Sequence, residues 1–297
     1  MTARELIFSG VLIGGMMIFN SAWSSVVAQD VPTESGIETP LVEAPRVQKV
    51  DESKGKLETA SENRGPEAEP EPAPPFDYAT LYDEPENLKK LDRTAPIWIS
   101  SDRKRVVLGG QICMRDGWLE FFACRANSKE HESIVALDIP PHLIHAALLV
   151  IGAKQGAPAK YDPEFVPPKG DPIDIEVCWR DAKSGERVKR SAQEMVSDEA
   201  SGKTMDATWI FTGGLFGVDP DGKKYYLANV TGEVFGVANF PGSVLDVPFE
   251  SSNDNSQLLY VANTEMIPEV NTDVLLILTR AEKDGAEKIT EKPSNRQ

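Results

Sequence analysis

Histidine and cysteine, the side chains that most often carry metal and redox chemistry, are scarce here, with three of each in 297 residues. No two cysteines form a Cys-x-x-Cys pair, and three sulfurs cannot hold a four-cysteine cluster. A thioredoxin-type motif and an iron–sulfur centre are therefore excluded. The chain also lacks a Gly-x-Ser-x-Gly elbow, a Ser-x-x-Lys set and a glycine-rich phosphate cradle after a strand. Basic stripes are missing too: 31 Lys and Arg stand against 47 Asp and Glu, a formal charge of −16. Without a basic surface to displace phosphate counterions, nucleic acid is excluded as a partner. Attraction to an anionic membrane surface is disfavoured for the same reason.

The acidity is local. Gln29 to Glu86 carries 15 Asp and Glu against 5 Lys and Arg, so −10 of the total sits there. The segment is also rich in proline, with EAEPEPAPP at Glu67 to Pro75 as its extreme. Such composition repels itself and buries too little to fold, which predicts a disordered spacer over 29–92. Upstream, Arg4 precedes an apolar run from Leu6 to Phe19, and Val26-Val27-Ala28 supplies small residues before Gln29. Residues 1–28 read as an export signal, with an uncleaved anchor as the alternative. The expected location is the periplasm or cell envelope, with membrane attachment only through that segment. FDYATLY, Phe76 to Tyr82, is the apolar exception at the spacer's far end, and docking back onto the domain is its simplest use.

Beyond the spacer, IWIS, RVVLGGQIC, WLEFFAC, IVALD and IDIEVCWR are short β-branched and aromatic runs separated by turn residues. In the last of these, Ile173, Ile175, Val177 and Trp179 alternate onto one face. WIFTGG, YYLANV, EVFGVAN, LLYVANT and VLLILTR continue the pattern. One helix interrupts it, at about 141–151, with Asp138 as the expected N-cap, prolines in the first turn and Gly152 as the stop. The composite prediction is an α+β domain over 93–282: mainly β, of short and mostly antiparallel strands around one central buried helix. A tail over 283–297 should be disordered.

Export would place Cys113, Cys124 and Cys178 where one disulfide can form. If Asp116-Gly117 turns a two-residue hairpin, Cys113 faces Glu120 and pairing with Cys124 misses register.

All three histidines lie between Lys129 and Gly152. A strand over Ile134 to Asp138 would carry His131 up to ~23 Å from the helix at ~3.3 Å per residue, so one metal cannot take all three. His142 and His145 stand at i and i+3 on one helical face, and they form the candidate metal site, with zinc as the candidate ion. The alternative is two histidines hydrogen-bonded within the fold.

KEHESIVALDIPPHLIHAALLVIGAKQGAPAKY, then IDIEVCWRD, then NFPGSVLDVPFESS resemble, in this order, the YdjY-type domain of exported planctomycete-like bacterial proteins. The resemblance spans about Val106 to Leu278 and implies compartment and domain extent; it brings no activity or catalytic residues. The expected role is a non-enzymatic binding or assembly module acting on an envelope protein or small ligand. The alternative is a metal-binding protein or metal-dependent hydrolase using His142 and His145, and a third option is redox chemistry at the cysteines.

Overall fold

A computed structural model describes residues 76–281. The expected export signal, the expected spacer as far as Pro75 and the expected tail from residue 283 lie outside the described residues.

Eight strands close into a barrel: β1 (Arg105–Ile112), β2 (Phe121–Arg125), β3 (Ser133–Leu137), β4 (Pro172–Arg180), β5 (Trp209–Phe211), β6 (Glu233–Gly236), β7 (Leu245–Asp246) and β8 (Asp273–Arg280). Around the wall the order is β1-β8-β4-β5-β7-β6-β2-β3, and β3 returns to β1 through Gln111↔Ala136 and Ile112↔Val135. Neighbours are antiparallel except β2–β3 and β6–β7. Closure leaves no unpaired edge within the ring, which matters for a chain built from strands this short.

The inward residues of β4 are the alternating set Ile173, Ile175, Val177 and Trp179, all buried. β8 does not alternate: Val274, Leu275, Leu276, Ile277 and Leu278 are all buried. The reason is a second layer on the outside of the wall. Leu81 and Tyr82 cover Val107, Cys178, Leu275 and Ile277, with Tyr78, Leu88 and Trp98 packed around them. FDYATLY therefore docks onto its own domain, and the Tyr78 hydroxyl donates to Asp273 Oδ1 at 3.1 Å. A strand at Leu88–Lys90 pairs with Ile97–Ser100, which pairs in turn with β1. Residues 76–92, expected as the end of the spacer, are thus folded, and the boundary placed at 93 moves upstream.

The expectation of a mainly β chain holds, with the strands arranged as a closed barrel. The central buried helix is corrected. α1 (Pro141–Val150) buries Ile144, His145, Ala147 and Leu148 against the main core, while Leu149 and Val150 are each 47 % exposed. It lies at the surface with one face inward. Its N-cap is Pro140 rather than Asp138, and it has no side-chain cap of its own. Among the described residues no helix is long and apolar enough to cross a membrane.

Candidate functional site

The missing cap is supplied from elsewhere in the chain, and this gives His142 its surroundings. Asn229, in the short helix α2 (Ala228–Thr231), accepts the His142 backbone N–H on Oδ1 at 3.1 Å. Its Nδ2 lies 3.0 Å from His142 Nδ1. One orphan donor of the α1 N-terminus is thereby satisfied by a side chain from another element.

His145, one turn on, is buried in a different environment. Its ring packs edge-on against Phe211 and Tyr226, with centroids at 5.2 and 5.4 Å. Nδ1 lies 3.1 Å from the Gly213 carbonyl and 3.2 Å from the Tyr226 hydroxyl. Burial holds its pKa below the ordinary imidazole value. His131 sits on a turn before β3, and its side chain is 77 % exposed. The two helix histidines share a face, as spacing suggested, but their Nδ1 atoms serve separate partners. Among the described residues no group of three or more His, Cys, Asp or Glu is arranged to hold a metal. His145→Ala should cost about 2 kcal/mol by emptying the aromatic niche and stripping a partner from Gly213. Added zinc should leave the melting temperature of the purified domain unchanged. A zinc-dependent rise, lost in a His142→Ala/His145→Ala double variant, would contradict this and support the metal reading.

From Tyr226 the polar groups continue inward. The Tyr226 hydroxyl donates to Gly213 O at 3.0 Å, and Thr212 Oγ1 donates to Ser243 O at 2.6 Å. Beyond Ser243 lies Asp246 on β7, with no exposed surface. Asp246 Oδ1 accepts from Asn239 Nδ2 at 3.0 Å and from the Val247 N–H at 2.8 Å. Its Oδ2 and the Ser243 Oγ have no hydrogen-bond partner among the described residues. Desolvation therefore pushes the Asp246 carboxyl well above the carboxylate range. Asn239 in turn accepts the Ser251 N–H at 2.8 Å, and Trp209 Nε1 donates to Gly236 O at 2.8 Å. The block NFPGSVLDVPFESS is thus a chain reversal tied together by its own buried side chains.

A second group lies between β2 and β3. Lys129 Nζ is 2.7 Å from Glu132 Oε1 and 3.5 Å from Glu120 Oε2, between the rings of Phe121 and Phe240 at 5.0 and 5.3 Å. Burial first, and the hydrogen bond with Glu132 second, push Glu120 up to about 7. Burial also raises Glu233 nearby. A carboxyl titrating near neutrality can serve as a general acid or base, but an ion-pair cluster shifts pKa values in the same way. The open clefts lie elsewhere. One of about 840 Å³ is lined by Phe76, Tyr78, Lys90, Trp98, Gln111 and Asp273, among others. One of about 640 Å³ is lined by Lys104, Lys154, Asp171 and Arg280, among others. Neither touches the histidines or these buried acids.

The most exposed apolar surface is a hairpin of Phe216–Val218 paired with Lys224–Tyr226, outside the barrel. Phe216 is 63 % exposed and Val218 62 %, and Leu215, Tyr225 and Val230 are exposed beside them in sequence. Sequence reasoning read YYLANV as part of the strand pattern and missed that, Tyr226 apart, the large apolar side chains of this hairpin are left exposed. It also passed over Asp246, whose signal was a lone acid among Val244, Leu245, Val247 and Phe249.

A family model for the YdjY domain matches residues 97–279, more than half of the chain. No curated protein and no solved structure matches it. The matched span runs from the strand at Ile97 to the end of β8 and takes in the whole ring together with its buried polar groups. The chain belongs to the YdjY domain family.

Proposed function

We propose that this is an exported, non-enzymatic binding module that docks a protein partner in the cell envelope through the face formed by residues 215–230. The observation that carries the reading is the exposed apolar hairpin. Phe216 and Val218 are each more than 60 % exposed on a two-stranded ribbon that adds nothing to barrel closure. Isolated exposed apolar residues are ordinary, but several within one short ribbon mark a surface that another molecule covers. The ribbon also has free edges, which suit addition of an extended strand from a partner.

Two further features support a binding role. The groups best suited to chemistry, His145, Glu233 and Asp246, are buried and engaged within the fold. The acidic, proline-rich composition of residues 29–75 suits a disordered tether that gives the domain reach from the membrane side. Export itself rests on the apolar run from Leu6 to Phe19 and the small residues at Val26 to Ala28.

A photo-crosslinking amino acid at position 216, activated in intact cells, tests the reading. It should give a discrete adduct that is missing when the crosslinker replaces Lys203, an exposed residue outside this hairpin. The same weak, diffuse pattern from both positions would overturn the proposal.

A further inference from the structure

The register of the barrel wall brings residues far apart in the sequence to one of its ends. β1 and β4 both run antiparallel to β8, with Thr279 opposite Arg105 and Arg280 opposite Ile173. Lys104 before β1, Asp171 before β4 and Arg280 at the end of β8 therefore gather at the same rim. The end of α1 lies there too, because Arg280 Nη1 donates to the Gly152 carbonyl at 3.0 Å. Lys154 is fixed beside them. Its N–H donates to Asp171 Oδ2 at 3.0 Å, and the Asp171 N–H donates to the Lys154 carbonyl at 3.0 Å. These four residues line the cleft of about 640 Å³, with Ile151 and Pro172 as apolar wall.

We propose that this cleft binds the phosphate group of a small organic phosphate monoester. Three cations stand against one carboxylate here, in a chain whose formal charge is −16. The Lys104 and Lys154 ammonium groups have no hydrogen-bond or ion-pair partner among the described residues. Like charges gathered in one cleft repel, and an anion between them removes that cost. Capping the end of α1 accounts for Arg280 Nη1 alone, and leaves the other guanidinium donors and both lysines unused. A guanidinium offers a planar fork and each ammonium a point charge. That set suits a tetrahedral dianion with several acceptor oxygens better than a single carboxylate. A bare phosphate would fill little of the cleft, whose volume lies within the roughly 300–1,000 Å³ of small-ligand sites. Ile151 and Pro172 give the organic part an apolar surface. Three cations in one cleft hold one small anion; they do not make the stripe that a nucleic acid needs. The site is separate from the docking hairpin, and its failure leaves that reading untouched.

Isothermal titration calorimetry of the purified full chain tests this, with glycerol 3-phosphate as the probe, at fixed ionic strength in a phosphate-free buffer. Binding should saturate at one equivalent, glycerol should not bind, and inorganic phosphate and citrate should bind more weakly. Lys104→Gln combined with Lys154→Gln should weaken glycerol 3-phosphate binding by at least about tenfold, the loss expected for charged hydrogen bonds. Both side chains are exposed, so the melting temperature without ligand should not move. Asp171→Asn keeps an oxygen to accept the Lys154 N–H and removes the opposing charge, so it should tighten binding severalfold. A purely structural role for Asp171 gives no such gain. Absence of saturable binding, equal affinity in the double variant, or binding of inorganic phosphate or citrate as tight as that of glycerol 3-phosphate would overturn the proposal.

Discussion

The domain should unfold in less denaturant at about pH 8 than at about pH 5.5, and Asp246→Asn combined with Glu120→Gln should remove most of that difference. The folded-state pKa values of Glu120, Glu233 and Asp246 are all raised, chiefly by burial. Between the unfolded carboxyl value and these raised values the native state binds more protons than the unfolded chain. Stability therefore falls as pH climbs through that window. Glu120 loses its advantage near 7, and burial of Asp246 acts in the same direction. His145 acts in the opposite sense, because its lowered pKa favours the native state once the unfolded imidazole is neutral. One histidine offsets only part of three acids. The carboxylates held low, including Asp92, Asp181 and Glu269, lose their contribution only as pH falls below the ordinary carboxyl range. Relieving Glu120 alone is expected to recover about 2 kcal/mol at the alkaline end, at ~1.4 kcal/mol per pKa unit and with some loss of its contact with Lys129. Chemical denaturation of the unsubstituted chain, Glu120→Gln and the double variant across pH checks this. A profile that is flat, or that rises from mild acid to pH 8, would mean that the buried acids are ionised and compensated.

Gly110→Val should be the most damaging single change in the wall, costing about 3 kcal/mol or preventing folding. A Cβ at this position would lie 2.7 Å from Leu137 Cδ2, 2.9 Å from Val135 Cγ1 and 3.0 Å from the Ala136 carbonyl. Two of those contacts are with β3 residues that form the closing seam, where Gln111↔Ala136 and Ile112↔Val135 pair β3 with β1 and the Cys113 N–H to the Ile134 carbonyl extends the ladder by one bond. A ladder that short cannot absorb a displaced strand. The neighbouring Gly109→Val separates seam from surface, because a Cβ there meets the Tyr78 ring at 2.5 Å. It should loosen residues 76–82 and leave the seam intact. Amide hydrogen exchange distinguishes the two: fast exchange at Cys113 for Gly110→Val, and at Tyr82 for Gly109→Val. Equal protection at Cys113 in both variants would show that the seam does not hold the barrel shut.

Which parts of this fold were readable follows from the range of the forces involved. β4 was legible because one face meets a core and the other does not, so Ile173, Ile175, Val177 and Trp179 alternate. α1 was legible from Pro141 and Gly152, which act within a turn of themselves. The docking of FDYATLY had a sequence trace too, since the unbroken apolar run in β8 required cover on both faces. Closure had none. β5 and β7 contribute three and two residues to the ring, too few for any periodicity, and their places depend on partners far along the chain. The histidines show the same limit. The spacing of His142 and His145 could not show that one is exposed and the other buried, and Asn229 for one and Gly213 with Tyr226 for the other are more than 60 residues away. Local pattern cannot name such partners. Asp246 was the one readable feature passed over, an acid placed where every neighbour is apolar.

If the polar interior is structural, Asp246 keeps its proton beyond the ordinary carboxylate range, fastened by Asn239 and the Val247 amide rather than poised for reaction. Carbon-13 NMR of the Asp246 carboxyl reads this directly. The resonance should stay at the protonated position as pH rises through and past the ordinary carboxylate range, and disappear from that position in Asp246→Asn. A titration with its midpoint near 4, the value of a solvated aspartate, would contradict it. The buried chain from His145 to Asp246 would then be a charged, reactive interior.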